Sequence, residues 1–122
     1  MNKIFEIGRL TRDPEVRYTQ SGKAVARFSL AVDDGYGENK KAYFFPVVAW
    51  NKAAEACGKS LHKGSKVAVT GKLTSRQYDD SEGRKVTVFE IFADAFGGVE
   101  FLDNKQGGSQ SNEIDTTEEI PF

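Results

Sequence analysis

The sequence predicts an all-β fold, a five-stranded barrel with one short helix between its third and fourth strands. Apolar and polar residues alternate over most of residues 1–102, which is typical of strands with one buried face. Glycine, proline and aspartate residues separate these stretches and indicate turns. Only one stretch, after residue 50, changes to the spacing of three and four residues that an amphipathic helix requires.

The first three strands are separated by clear breaks. Residues 3–11 form the first predicted strand, and Asp13 and Pro14 end it. Residues 24–32 form the second strand, and residues 42–50 form the third, after a polar loop that contains Gly35 and Gly37. Every even-numbered residue of the second strand is apolar, so Phe28 is predicted to lie in the core.

The predicted helix follows directly on the third strand. Asn51 belongs to a residue type that caps helix N-termini, and Gly64 is a plausible stop signal. Between them Ala54, Cys57 and Leu61 are spaced by three and four residues. This spacing predicts a short helix with one apolar face.

Two further strands complete the barrel. Residues 65–78 form a long fourth strand, a turn at residues 79–83 closes a hairpin, and residues 85–92 form the fifth strand. Gly97 and Gly98 then indicate a bend before residues 99–102. Five strands with a helix between the third and fourth is the order of the OB fold, a partly open Greek-key barrel that binds oligonucleotides or oligosaccharides.

Composition argues against several classes of protein. A chain of 122 residues suits one domain. It contains neither an apolar run near the ~20 residues of a membrane span nor an apolar leader at its start. We therefore expect a cytoplasmic protein without a membrane partner. The single cysteine and single histidine, Cys57 and His62, exclude an internal disulfide and a tetrahedral zinc site. They fall on different faces of the predicted helix, which argues against a Cys-His catalytic pair and favours Cys57 as a small core residue. We therefore expect no catalytic residue, metal, cofactor or small-molecule substrate.

The net charge of −1 hides an asymmetry between the body and the end of the chain. Residues 103–122 carry five acidic residues against one lysine, a net charge of −4, which leaves +3 for residues 1–102. Residues 103–112 are rich in Gly, Ser, Gln and Asn and are predicted to be a disordered linker. The predicted organisation is therefore an OB domain at 1–102, a flexible linker at 103–112 and an acidic tip at 113–122.

The tip has the chemistry of a docking segment for another protein. Pro121 restricts the backbone to extended shapes, and Phe122 combines an aromatic ring with the terminal carboxylate. A partner with an apolar pocket and a basic rim could bind both groups. An acidic terminus that only aids solubility is the alternative. The predicted partner-binding residues are Asp115, Glu118, Glu119, Ile120, Pro121 and Phe122.

Aromatic and basic side chains fall together on the predicted strands. Phe44 and Trp50 share a face of the third strand, because an even separation keeps side chains on one side. In the fourth strand Val67, Val69 and Leu73 form the apolar set. The opposite set is predicted to face solvent and comprises Ala68, Thr70, Lys72, Thr74, Arg76 and Tyr78. Cations beside exposed rings suit the phosphates and bases of single-stranded nucleic acid, whatever its sequence. Rings at strand spacing are also common in cores, and Phe44 and Trp50 taken alone fit either interpretation.

The chain closely resembles bacterial single-stranded DNA-binding proteins. Residues 7–18 (IGRLTRDPEVRY), 22–32 (GKAVARFSLAV) and 63–65 (KGS), together with the final Ile120-Pro121-Phe122, carry the resemblance, which runs nearly continuously over residues 1–102. It implies a homotetramer of OB folds around which single-stranded DNA wraps. It also implies work in replication, recombination and repair, with enzymes of those processes docking at the tip.

The resemblance also implies which residues contact DNA. Stacking rings are expected at Tyr36, Phe44, Trp50 and Tyr78. Basic contacts are expected at Lys3, Arg17, Lys52, Lys63 and Arg76, although each lone cation also fits a solvated surface charge. Two alternatives stay open, namely an RNA-binding or primosome-associated OB module and a docking adaptor that works through its tail. An enzyme is a more distant third.

Overall fold

The structure, a computed structural model, describes residues 1–103. The predicted acidic tip and the predicted linker beyond Asp103 lie outside the described residues. Within them the chain forms seven strands, a ten-residue helix and one short 3-10 turn at Gly37–Asn39. The strands are β1 (Ile4–Leu10), β2 (Glu15–Tyr18), β3 (Ala24–Asp34), β4 (Lys41–Trp50), β5 (Lys66–Asp79), β6 (Lys85–Ala93) and β7 (Val99–Phe101), and the helix α1 is Asn51–Ser60.

One sheet contains all seven strands and closes on itself. Its order is β1-β3-β4-β6-β5-β7, and a further pairing of β1 with β5 joins the path into a ring. Neighbouring strands are antiparallel except for β4 and β6, which run parallel and pair only through Val47 with Ile91 and Val48 with Phe92. The predicted all-β barrel, with its helix between the third and fourth predicted strands, is confirmed.

The hydrophobic core lies inside the closed sheet and is formed by alternate residues of the strands. The predicted apolar face of β3 is buried at Ala24, Ala26, Phe28 and Leu30. From α1, Ala54 and Cys57 join the same cluster, as does Leu61 just after the helix, so the predicted apolar face is confirmed. Burial raises the pKa of the Cys57 thiol to about 11, because the interior disfavours the thiolate. No helix within residues 1–103 is long and apolar enough to cross a membrane.

Two short strands were missed by the sequence pattern. Strand β2 pairs with β3 over its whole length, although its side chains show no clean alternation of buried and exposed residues. Strand β7 pairs with β5 through three residues after the predicted bend. Strands this short carry too few side chains for a period of two, and their position is set by the partner strand.

The helix begins in a different way from the prediction. Asn51 is not its cap: it is the first helical residue, with a φ of 59°, and the cap position is Trp50, whose side chain makes no capping hydrogen bond. Asparagine tolerates this left-handed conformation better than most residues. Gly64 does not end the helix either. It lies in the following loop at a φ of 89°, where its N–H donates to the Leu10 carbonyl over 2.8 Å.

Candidate nucleic-acid interface

One outward face of the barrel is assembled by the strand register. Paired residues on neighbouring strands point to the same side of a sheet, as do alternate residues along one strand. Arg17 on β2 pairs with Val25 on β3, and Val25 pairs with Trp50 on β4. Arg17 and Trp50 therefore share a face, and Phe44 joins them because it lies six residues before Trp50 on the same strand.

The same face continues across the β4–β6 seam onto β5. Val48 pairs with Phe92 on β6, and Phe92 pairs with Lys72 on β5. Arg76 and Tyr78 follow Lys72 at even separations. We call this surface the cation–aromatic face. It comprises Arg17, Arg27, Phe44, Trp50, Lys72, Arg76, Tyr78 and Phe92.

Aromatic rings on this face are open to solvent. Phe44 is 62% exposed, Tyr78 46% and Trp50 37%. The Trp50 ring packs edge-on against Phe92, with 5.9 Å between centroids and 74° between planes. This contact holds Trp50 at the rim of a cavity of about 330 Å³ that is also lined by Lys72 and Asp94. The rings are thus available for stacking, and Trp50 is additionally fixed by its neighbour.

A buried carboxylate links the basic side chains. Glu90 on β6 has only 5% of its side chain exposed, and its two oxygens accept from two arginines of different strands. Arg27 Nη1 donates to Oε2 over 2.7 Å, and Arg76 Nε donates to Oε1 over 3.2 Å. The Arg76 guanidinium also lies 5.9 Å from the centre of the Tyr78 ring, within cation–π range.

Lys3 and Arg17 both hold acidic partners in this structure. Lys3 Nζ lies 2.6 Å from an oxygen of Asp94, which is one of the residues that line the cavity beside Trp50. Arg17 Nε donates to Glu15 over 2.9 Å. That hydrogen bond and the guanidinium charge hold the pKa of the Glu15 carboxyl below its usual range. A phosphate that binds either cation would compete with a carboxylate.

Three of the predicted DNA contacts lie away from the face. Tyr36 is exposed in the loop between β3 and β4, just before the 3-10 turn. Lys52 lies in the first turn of α1, and Lys63 lies in the loop after the helix, where its backbone N–H donates to Asp13 over 2.8 Å. The register does not bring these three side chains together with Trp50.

Comparisons with known proteins identify the family of this chain. A sequence model of the single-strand binding protein family matches residues 1–102. The chain belongs to this family. It is 45% identical over 119 residues to "Single-stranded DNA-binding protein 3" of Listeria innocua, covering 92% of this chain and 72% of that protein. It is 44% identical over 114 residues to the "Single-stranded DNA-binding protein" of Halalkalibacterium halodurans, with 91% and 65% covered.

A solved structure in the same family has the same architecture. The Plasmodium falciparum SSB complex with ssDNA superposes with a TM-score of 0.77 at 28% identity, covering 84% of this chain and 96% of that one. The predicted resemblance to bacterial single-stranded DNA-binding proteins is therefore confirmed. No cluster of three or more His, Cys, Asp or Glu side chains that could hold a metal occurs in the part of this family member that the structure describes.

Two predictions of exposure on β5 of this family member were wrong. Ala68 was predicted to face solvent but is buried, whereas Leu73 was predicted to be buried but is exposed. Ala68 lies where β5 is flanked by both β1 and β7, so side chains from both neighbours cover it. Leu73 lies where β5 has left those neighbours and continues into the hairpin with β6. Alternation assigns the side of the sheet on which a side chain lies, but its burial there also depends on how many strands flank it.

The pattern also missed Arg27 and Phe92 of the cation–aromatic face, and the Glu90 carboxylate that binds its arginines. Arg27 is the single cation on β3, and its odd position already put it opposite the apolar face of that strand. Phe92 and Glu90 share a face of β6 by their even separation. Alternation could have placed Arg27 outward, but not Glu90 and Phe92, because Val86 and Val88 share their side of β6. Their meeting depends on the β4–β6 pairing, which the sequence does not reveal.

Proposed function

We propose that this protein binds single-stranded DNA, without strong sequence preference, on the cation–aromatic face. The observation that carries the proposal is that Phe44, Trp50 and Tyr78 are exposed on the same face as Lys72 and Arg76. Unpaired bases offer π-faces for these rings, and the intervening phosphates attract the cations. Every base has a π-face, so such a surface tolerates any sequence. No catalytic step is included in this function.

On the proposed path of the DNA strand, each ring and each cation has a role. Phe44, Trp50 and Tyr78 stack on bases, while Lys72 and Arg76 contact phosphates. The remaining predicted contacts, which lie at or beyond the edges of the face, serve to guide the strand away from it. They are Lys3, Arg17, Tyr36, Lys52 and Lys63. Lys3 and Arg17 exchange their acidic partners for phosphate when DNA arrives, which adds to the salt dependence of binding.

Fluorescence of the single tryptophan tests the proposal. Oligo-dT should quench Trp50 emission strongly, because a base stacks on the exposed part of the ring. Duplex DNA of equal length should quench it little, since its bases are already paired and stacked. Competition with RNA of the same length separates this function from that of an RNA-binding module. Equal quenching by single-stranded and duplex DNA would refute the stacking arrangement.

Self-association into a homotetramer is part of the proposal. Phe5 and Ile7 are exposed on β1, and their pairing with Thr70 and Ala68 places them on one outward surface of β1 and β5. Exposed apolar side chains that share a surface favour burial against another subunit. Light scattering with and without oligo-dT measures both the number of subunits and the number of DNA strands bound. A monomer under all conditions would exclude the tetramer.

The tip is proposed to recruit enzymes of replication, recombination and repair to DNA in the cytoplasm. The support is its sequence, in which acidic residues precede Ile120, Pro121 and Phe122. Removing residues 113–122 should keep affinity for single-stranded DNA or raise it slightly, since a net charge of −4 near a body of +3 competes with phosphates. The same deletion, or Phe122→Ala alone, should abolish capture of those enzymes from a bacterial lysate. Loss of DNA binding on deletion would contradict this division of roles.

A further inference from the structure

Glu90 is an acidic residue in the middle of a surface that is proposed to bind an anion. It lies on β6 between Arg27 of β3 and Arg76 of β5, and each of its oxygens accepts from one of the two guanidinium groups. Residue 90 faces outward with Phe92, so this carboxylate is buried on the outside of the barrel and not in its core. The carboxylate therefore joins three strands on the outside of the barrel.

The arginines keep most of their donors available. Half of each side chain remains exposed, 50% for Arg27 and 54% for Arg76. A guanidinium has five N–H groups, and the bonds to Glu90 use one from each. Arg27 also lines a second cavity, of about 530 Å³, whose lining includes the basic Arg12 and the acidic Asp13 and Glu15. The guanidinium group of Arg76 lies beside the Tyr78 ring.

We propose that Glu90 is a positioning residue for single-stranded DNA binding, which fixes the guanidinium groups of Arg27 and Arg76 before DNA arrives, and that Arg27 is a further DNA-contacting residue. A long arginine side chain loses rotamer freedom when it binds a phosphate, and a group already held in place loses less. Glu90 also lowers the charge of the trio from +2 to +1. Glu90 therefore weakens the long-range attraction of DNA but holds both arginines in fixed positions. This inference rests on the function proposed above.

Stability alone does not account for this arrangement. A buried ion pair is commonly no more stabilising than well-packed apolar residues of the same size. Replacing such a pair by apolar residues is often neutral for stability, whereas an apolar residue at position 90 would leave both arginines unfixed. The chain from Glu90 through Arg76 to Tyr78 also connects the carboxylate to a proposed stacking ring. A role in ordering the binding surface uses all of these contacts.

Glu90→Gln is the central test, because the amide keeps the shape and removes the charge. The logarithmic salt dependence of oligo-dT affinity should steepen by about 0.7, the increment for one more phosphate neutralised on a single strand. At high salt, where that attraction is screened, affinity should fall by about tenfold, equivalent to one lost charge-assisted contact. Glu100→Gln, on β7, removes the same charge from an exposed site and should change neither quantity.

A second background shows whether Glu90 acts through the arginines. In a variant that already carries Arg27→Gln and Arg76→Gln, adding Glu90→Gln should no longer lower the affinity at high salt, because no guanidinium group is left for residue 90 to position. The variant Arg27→Lys gives a further test, because it keeps the positive charge but loses the planar guanidinium group. Its affinity for oligo-dT should fall while the salt dependence stays the same. This variant also serves if Glu90→Gln fails to fold.

The outcomes separate the two proposals. Failure of the unmodified protein to bind oligo-dT would overturn the proposed function. Normal binding by the unmodified protein, with Glu90→Gln identical in affinity and salt dependence, would overturn the positioning role alone. An equal loss of affinity at high salt on Glu90→Gln, with and without the arginines, would also overturn it. Unchanged affinity of Arg27→Lys would remove Arg27 from the DNA contacts.

Discussion

Phe44→Ala should weaken DNA binding while leaving the barrel stable. Full burial of a phenylalanine side chain contributes about 1.5–3 kcal/mol. Phe44 is 62% exposed, so its removal should lower the free energy of unfolding by only about 1 kcal/mol. The lost stacking should cost about 1–3 kcal/mol of binding free energy, roughly fivefold to 150-fold in the dissociation constant.

Trp50→Ala gives the informative contrast. Trp50 is 37% exposed and packs against Phe92, so its truncation should lower the free energy of unfolding by about 2–3 kcal/mol, in proportion to its buried part. Its effect on binding should match that of Phe44→Ala. Both effects are measured by denaturant unfolding and by the anisotropy of labelled oligo-dT, which needs no tryptophan.

Phe89→Ala is the matched control for Phe44→Ala. Phe89 is 56% exposed, but it neighbours Glu90 on β6 and therefore points to the opposite face. Its replacement should leave affinity for oligo-dT unchanged. Phe44 would be a core residue if its alanine variant lost the cooperative unfolding transition. Equal affinity losses for Phe44→Ala and Phe89→Ala would refute the assignment of binding to one face.

Two further predictions concern charge. Lys72→Ala should reduce the logarithmic salt dependence of oligo-dT affinity by about 0.7. The control Lys85→Ala should leave it unchanged, because Lys85 lies on the opposite face and is paired with Asp79. Equal salt dependence in the two variants would remove Lys72 from the DNA path. The raised pKa of Cys57, about 11 against an ordinary 9.0, keeps the folded state protonated where the unfolded thiol ionises, so the free energy of unfolding should fall as pH rises from about 9 to about 11. The loss should approach about 2–3 kcal/mol relative to Cys57→Ala in parallel denaturant titrations, and identical pH profiles would show that the thiol does not stay protonated.

The strands that could be predicted are those with a long alternation of their own. Strand β3 shows this best, because all even-numbered positions from 24 to 32 are apolar and its single cation, Arg27, lies on the other side. The helix was found from the spacing of Ala54, Cys57 and Leu61, although its first residue adopts a conformation that no pattern indicated. Local periodicity was therefore enough wherever one element buries one face.

The features that could not be predicted from the sequence depend on pairing between distant segments. The β2 and β7 strands exist because β3 and β5 offer free edges, and Ala68 is buried because two strands flank it. The contact of Arg27 with Glu90 likewise requires β4 and β6 to run side by side. The proposed stacking rings were named from the sequence, but the carboxylate that organises their basic neighbours was not.

The short parallel seam between β4 and β6 has a consequence for how the chain folds. The β3–β4 and β5–β6 hairpins join segments that are adjacent in the chain, whereas the seam joins the two hairpins across the intervening helix. Local hairpins form within microseconds, and contacts between distant segments form later because closing a long loop costs more entropy. We therefore expect seam closure to be a late event in folding. The Trp50–Phe92 contact spans that seam, so tryptophan emission in a stopped-flow experiment reports the moment at which the two hairpins meet.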